Sequence, residues 1–150
     1  MYTIEEYDIE KTKVLKYALY KKRTEREIKT KFRSIIEENM LEDIIEELKE
    51  NGYIGDKMYL ERAVNEYIAL KNLSLKELKY KLSSKGISSS LIEDYISKNR
   101  DELEEYERKS AENIAIKKSV NMDETEIRTY LMKKGYIEEN IRQAIENLEE

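Results

Sequence analysis

The sequence has no histidine, cysteine, proline or tryptophan, and only four of its 150 residues are glycine. Each absence removes a class of chemistry. Without His or Cys there is no Ser-His-Asp triad, no Cys-His nucleophile, no zinc finger and no disulfide framework. Four scattered glycines do not build a phosphate-cradling GxxxxGK[ST] loop. No apolar run approaches the ~18 residues of a membrane span. The opening Met1-Tyr2-Thr3-Ile4-Glu5-Glu6 lacks the basic and apolar regions of a signal peptide. With no cysteine as well, these features predict a cytoplasmic protein with no membrane partner. Carboxylates are abundant, but nothing singles out a working pair. The chain is therefore read as a non-enzyme, with no catalytic residue, no metal ligand and no cofactor.

What is present is charge and helix-forming residues. Charged residues make up 41% of the chain, and 28 Lys+Arg against 33 Asp+Glu give −5. That average hides unlike segments. Residues 11–33 carry ten bases and two acids, and residues 71–85 carry five bases and one acid. Residues 37–50 carry seven acids and one base, and residues 101–107 five acids and no base. Such alternation can face polyanion and protein together.

With Pro absent and Gly rare, little interrupts a helix, and Glu, Lys, Leu and Ala favour one. Apolar residues recur at helical spacing: Val14, Tyr17 and Ala18; Ile28, Phe32 and Ile35; Leu60, Ala63, Val64, Tyr67 and Ile68. No run alternates with a period of two. The pattern predicts an all-α chain of nine helices at about 8–21, 25–36, 40–50, 56–71, 75–84, 89–98, 101–119, 124–133 and 138–148.

A repeat organises these helices. Thr24-Glu25-Arg26-Glu27-Ile28, Ser74-Leu75-Lys76-Glu77-Leu78 and Asp123-Glu124-Thr125-Glu126-Ile127 align at steps of 50 and 49. Each opens with a capping box, in which a Ser, Thr or Asp oxygen takes a free backbone N–H and the Glu three residues on reaches back to the cap. Copies two and three continue alike, through Leu82, Gly86 and Ile87 and through Leu131, Gly135 and Tyr136. These glycines, like Gly52, fall where a helix should end in a left-handed residue. Copy one has Ile36 where the glycine is expected, which predicts a tighter or irregular turn. The repeat divides the chain into three three-helix, helix-turn-helix-like modules at 8–52, 56–99 and 101–150, with short joins that favour stacking.

These residues resemble the RecX family of regulators of the RecA recombinase. Val14-Leu15-Lys16-Tyr17-Ala18-Leu19 followed by Thr24-Glu25-Arg26-Glu27-Ile28 is similar to the family's opening helix and its "S-x-x-E-L" start. Gly52-Tyr53-Ile54-Gly55-Asp56 with Tyr59 resembles its "G-Y-[IL]-D-D…[FY]-A" junction, with Gly55 replacing the first Asp and Leu60 the Ala. Glu77-Leu78 with Leu82, Gly86 and Ile87 resembles the second repeat, and Tyr130-Leu131 with Gly135-Tyr136 the third. The match covers roughly residues 12–148. Copy one lacks the turn glycine, and Asn72 stands where glycine is expected.

The resemblance implies an elongated, curved stack of modules that docks in the groove of the RecA–single-stranded DNA filament. It implies hindered ATP hydrolysis and strand exchange, filament loss, and a monomer that meets single-stranded DNA weakly or through the filament. The repeat-equivalent bases Lys29, Lys79 and Arg128 follow core positions and should point outward as a row, with Arg26, Arg33, Lys76 and Lys133 on nearby faces. The row is a candidate contact to filament DNA or to an acidic RecA surface. The competing reading is a solvated face with i,i+4 pairs such as Glu27–Lys31 and Glu77–Lys81. Of the twelve tyrosines, Tyr17, Tyr59, Tyr67 and Tyr136 are expected to pack on apolar faces, and Tyr20 and Tyr80 to be exposed.

Two other functions compete: a helix-turn-helix DNA-binding regulator and a helical-repeat protein-interaction scaffold. The first needs a basic recognition helix. Here the third helices start Ser88-Ser89-Ser90 and Glu138-Glu139-Asn140, and the first copy's is acidic.

Overall fold

A computed structural model describes residues 2–149. Among them are nine α-helices and no strand: α1 (Ile4–Tyr20), α2 (Glu25–Phe32), α3 (Glu38–Glu50), α4 (Asp56–Leu70), α5 (Leu75–Ser84), α6 (Ser89–Lys98), α7 (Arg100–Lys118), α8 (Glu124–Lys134) and α9 (Glu138–Leu148). The all-α reading holds, and most boundaries agree within two residues. The described chain forms two compact units. One runs up to Arg62 and includes Lys85–Ile87, and the other comprises Ala63–Ser84 and the chain from Ser88 on.

In the first unit, Val14, Ala18, Ile28, Phe32, Ile44, Ile45 and Leu48 form a buried core, with Tyr17 edge-on to Phe32 at 5.5 Å. Two expectations are corrected here. α1 starts four residues earlier than position 8, because Thr3 and Glu6 form a further capping box (Glu6 N–H to Thr3 Oγ1, 3.0 Å). α2 ends at Phe32, not at 36. The N–H groups of Ile35 and Ile36 both turn to the Phe32 carbonyl at 2.9 Å, tightening the chain. That rotation buries Ile36 and leaves Ile35 64% exposed, so Ile36 takes the core place the helical period gave to Ile35. The turn lacks glycine and is tight, one of the two expected forms; among the described residues no non-glycine has positive φ.

α1 is held to α3 by polar side chains. The Tyr2 hydroxyl bonds Asp43, the Tyr7 hydroxyl bonds Glu47, and Lys11 pairs with Glu47 at 3.1 Å.

In the second unit, Ile114, Ala115, Ile127, Leu131, Tyr136, Ile141, Ala144 and Ile145 pack α7, α8 and α9 together. Leu78 and Leu82 of α5 and Ile92 and Ile96 of α6 are buried as well.

All three predicted capping boxes form, and two of them do more than cap. In the first unit, Thr24 Oγ1 accepts from the Glu27 N–H (3.2 Å) and donates to the Lys85 carbonyl (2.7 Å). Glu27 accepts from the Thr24 N–H (3.0 Å) and faces the Lys85 ammonium (3.7 Å). Asp56 accepts from the Glu25 N–H at 3.0 Å, filling another free donor of the first turn. The second unit repeats this arrangement. Ser74 Oγ accepts from Glu77 N–H (3.0 Å) and donates to the Lys134 carbonyl (2.6 Å), while Glu77 pairs with Lys134 at 3.0 Å. Glu107, itself buried, accepts from the Leu75 N–H at 3.0 Å and also from Asn140.

Each gripped carbonyl precedes a turn glycine. Gly86 and Gly135 have φ of +97° and +95°, a region costly for side chains. A Cβ on Gly86 would lie 2.7 Å from Arg26, and one on Gly135 would lie 2.8 Å from Lys76. Arg26 and Lys76 are repeat-equivalent, so both turns are glycine for two reasons: backbone angle and close approach. Gly52 (φ +77°) closes α3, with Tyr53 N–H on the Leu48 carbonyl at 2.9 Å.

The double use of the cap needs a hydroxyl, which both donates and accepts. Ser74→Asp retains the acceptor but, at a buried position, faces the Lys134 carbonyl with a carboxylate. We expect a loss of about 2–3 kcal/mol in urea unfolding. Asp123→Ser at the exposed third cap should stay within about 0.5 kcal/mol.

The α1–α3 clasp carries a pH signature. The Tyr7 hydroxyl, and then Lys11, hold the Glu47 carboxyl below the usual carboxylate range. A carboxyl with a depressed folded pKa stabilises above its unfolded pKa and loses that contribution as pH falls through the folded value. Glu47→Gln should therefore unfold more readily than the parent at pH 7. The two should converge below about pH 4 in a pH series of unfolding midpoints.

Candidate interaction surface

The three repeat-equivalent bases all sit on second helices, one residue after the buried Ile28, Leu78 and Ile127. Each meets a carboxylate. Lys29 pairs with Glu25 at 3.3 Å, and Glu25 also reaches Lys49 of α3 at 3.6 Å. Lys79 pairs with Glu93 of α6 at 3.2 Å, and Arg128 with Glu138 of α9 at 2.6 Å. Lys79 and Arg128 thus link second helices to third helices, Lys29 is paired within α2, and all three carry their own counter-charges. Arg26 and Lys76 lie along the turn glycines. Arg33 and Lys133 are exposed at the ends of α2 and α8. In the first unit, Lys29 and Arg33 share a cleft of about 460 Å³ with Glu38, Leu41 and Glu42. Charges of both signs line it, which suits a polar protein side chain better than a bare phosphate.

The acidic stretches are partly answered as well. Glu104 faces Arg100 at 3.6 Å, and Arg108 holds the Glu105 carboxyl below the usual range. Along α3, Glu37, Glu38, Glu42, Glu46 and Glu50 remain exposed. A helix in the recognition position with this charge repels DNA phosphates, which argues against groove insertion.

The expected i,i+4 pairs Glu27–Lys31 and Glu77–Lys81 do not form. Glu27 and Glu77 are committed to their caps and to Lys85 and Lys134. The released lysines turn to tyrosines instead. Lys31 lies 5.8 Å from the Tyr17 ring, and Lys81 lies 6.0 Å from that of Tyr67. Both tyrosines are only partly buried, whereas Tyr136 is buried, and Tyr20 and Tyr80 are exposed as expected. These tyrosine–cation contacts were not identified from sequence. Their signal is there: Tyr17 and Tyr67, like Lys31 and Lys81, are 50 residues apart.

No family model matches the chain. Curated relatives and solved structures do. "Regulatory protein RecX" of Staphylococcus carnosus is 30% identical over 139 residues, covering 90% of this chain and 52% of its own length. The RecX of Finegoldia magna is 35% identical over 83 residues, 55% of this chain and 40% of its own. The crystal structure of RecX from Lactobacillus salivarius matches with a TM-score of 0.80 at 28% identity, over 98% of this chain and 99% of that one. The chain belongs to the RecX family. It spans about half the length of the curated RecX relatives it matches. A further RecX crystal structure, 23% identical, shares the fold with a TM-score of 0.79. Asp56, within the junction that resembles the RecX pattern, is the residue that caps α2 from outside. No described helix is long and apolar enough to cross a membrane.

The row's ion pairs are surface pairs, which contribute little to stability. Lys79→Gln and Arg128→Gln should each shift the unfolding free energy by no more than about 0.5 kcal/mol in denaturant titrations. A larger loss would assign these bases a structural role.

Proposed function

We propose that this RecX-family protein regulates the RecA recombinase by lying in the groove of the RecA–single-stranded DNA filament. It hinders ATP hydrolysis and strand exchange there and favours filament loss. It acts by shape and charge, without catalysing a reaction. The observation that carries this reading is the fold shared with the Lactobacillus salivarius RecX along essentially the whole of both chains. The charge pattern supports it: basic starts of copies one and two beside acidic later helices suit a protein placed between DNA and protein. We take the three-helix modules at 8–52, 56–99 and 101–150 as the repeating unit of contact, and the protein as a cytoplasmic monomer. The row of Lys29, Lys79 and Arg128, paired with its own carboxylates, faces the recombinase, where pairs can be exchanged for partner charges.

The test is titration into a RecA reaction followed by single-stranded-DNA-dependent ATP hydrolysis. Loss of hydrolysis at amounts well below RecA is expected. Sequence-specific duplex binding with no effect on RecA would reject the reading. Reversing Lys29, Lys79 and Arg128 together to Glu should weaken inhibition about tenfold or more with helicity intact. Unchanged inhibition removes the row from the interface.

A further inference from the structure

Most cations whose contacts are described above are matched by a carboxylate. A second set is not, and it is arranged around tyrosine rings. Tyr17 has Arg23 at 3.9 Å and Lys31 at 5.8 Å from its ring centre. Tyr67 has Lys71 at 5.9 Å and Lys81 at 6.0 Å. Tyr130 has Lys118 at 4.9 Å and Lys134 at 5.5 Å. One such cluster occurs in each copy of the repeat. Lys134 also pairs with Glu77. The others have no carboxylate partner among the described residues.

The third cluster is built differently from the same parts. Tyr130 occupies the repeat position of Lys31 and Lys81, and Ile116 occupies that of Tyr17 and Tyr67. The ring has moved to the second helix, and a cation, Lys118, now comes from the end of the first. The combination persists although the positions have exchanged.

We infer that these tyrosine-backed cations are phosphate contacts for single-stranded nucleic acid. A cation on an aromatic face keeps its full charge, while one in an ion pair must first give up its partner. The ring contact is weak, ~0.5–1 kcal/mol at an exposed site, so it orients the ammonium without competing with phosphate. Holding the long side chain beforehand lowers the ordering cost of binding. The acidic α3 disfavours duplex, whereas a flexible single strand needs no groove fit. The inference deepens the proposed function, since the strand is the one a recombinase filament carries. It assigns that strand to residues other than the Lys29 row.

The experiment measures fluorescence anisotropy of a labelled oligothymidylate without recombinase, over a salt series of about 50–200 mM. K31Q/K81Q/K118Q should bind about tenfold more weakly than the parent at the low end. Its log–log salt slope should be shallower by about 2, the value for three lost contacts to a single strand. K29Q/K79Q/R128Q should stay within about twofold. K31R/K81R/K118R keeps the charges and should restore binding, which separates charge from folding; circular dichroism should be equal throughout. Four results would overturn the inference: no binding by the parent, equal losses from both Gln triples, duplex bound as tightly as single strand, or poly-glutamate competing as well as the oligonucleotide. Loss of RecA inhibition is read in the separate hydrolysis assay, so the two readings can fail independently.

Discussion

The fold depends on a hydroxyl and a carboxylate placed three residues apart at the start of a short helix. In an isolated helix this pair satisfies two free N–H groups and nothing more. Here each member has a second partner. The Thr24 or Ser74 hydroxyl gives its proton to a distant carbonyl, and Glu27 or Glu77 takes the ammonium of the same residue, Lys85 or Lys134. An N-terminus is thereby joined to a turn distant in sequence, donors facing acceptors, around a buried hydroxyl, where an unmet polar group would cost more than a satisfied bond contributes. The turn glycines follow from this, because the gripped carbonyl brings Arg26 or Lys76 onto the next residue. The residue types follow too. The two buried caps are Thr and Ser, which can donate, and the exposed third cap is Asp, which cannot.

The same pair governs the surface. A carboxylate used by a cap and by a distant lysine is no longer available to the lysine four residues along its own helix. Lys31 and Lys81 are left facing tyrosine rings. The core of the repeat therefore determines which surface charges remain uncompensated. Elsewhere, Glu25, Glu93 and Glu138 neutralise the bases that the repeat displays most regularly. The bases that recur in all three copies are thus the ones that carry carboxylate partners.

That separation marks how far the sequence could be read. Helix number, most boundaries, the capping boxes and the turn glycines were legible, because each is set by local rules of spacing and backbone angle. The capping box at Thr3 and Glu6 obeys the same rule and sets the start of α1, four residues before the expected position 8. Ile35 and Ile36 show where a local rule fails. Helical spacing places Ile35 inward only if the helix continues, and without a glycine the turn tightens first. The surface was harder to read. The i,i+4 rule pairs Glu27 with Lys31 when no better partner exists. That Lys85, 58 residues away, is the better partner belongs to the packing of the chain.

Net charge is thus a poor guide to what a partner meets. The ten bases between residues 11 and 33 do not act as one patch. Lys11 serves the α1–α3 clasp, Lys29 sits in an ion pair, and Arg23 and Lys31 lie against Tyr17. These environments differ in what binding requires. An ion-paired base exchanges one carboxylate for another at little net cost, so it suits a protein surface that carries its own charges. A ring-backed base such as Lys31 or Lys81 has no carboxylate to give up and would gain from a phosphate directly, with release of the counterions that a nucleic-acid strand holds. Fixing Glu27 and Glu77 in the caps keeps those carboxylates away from Lys31 and Lys81.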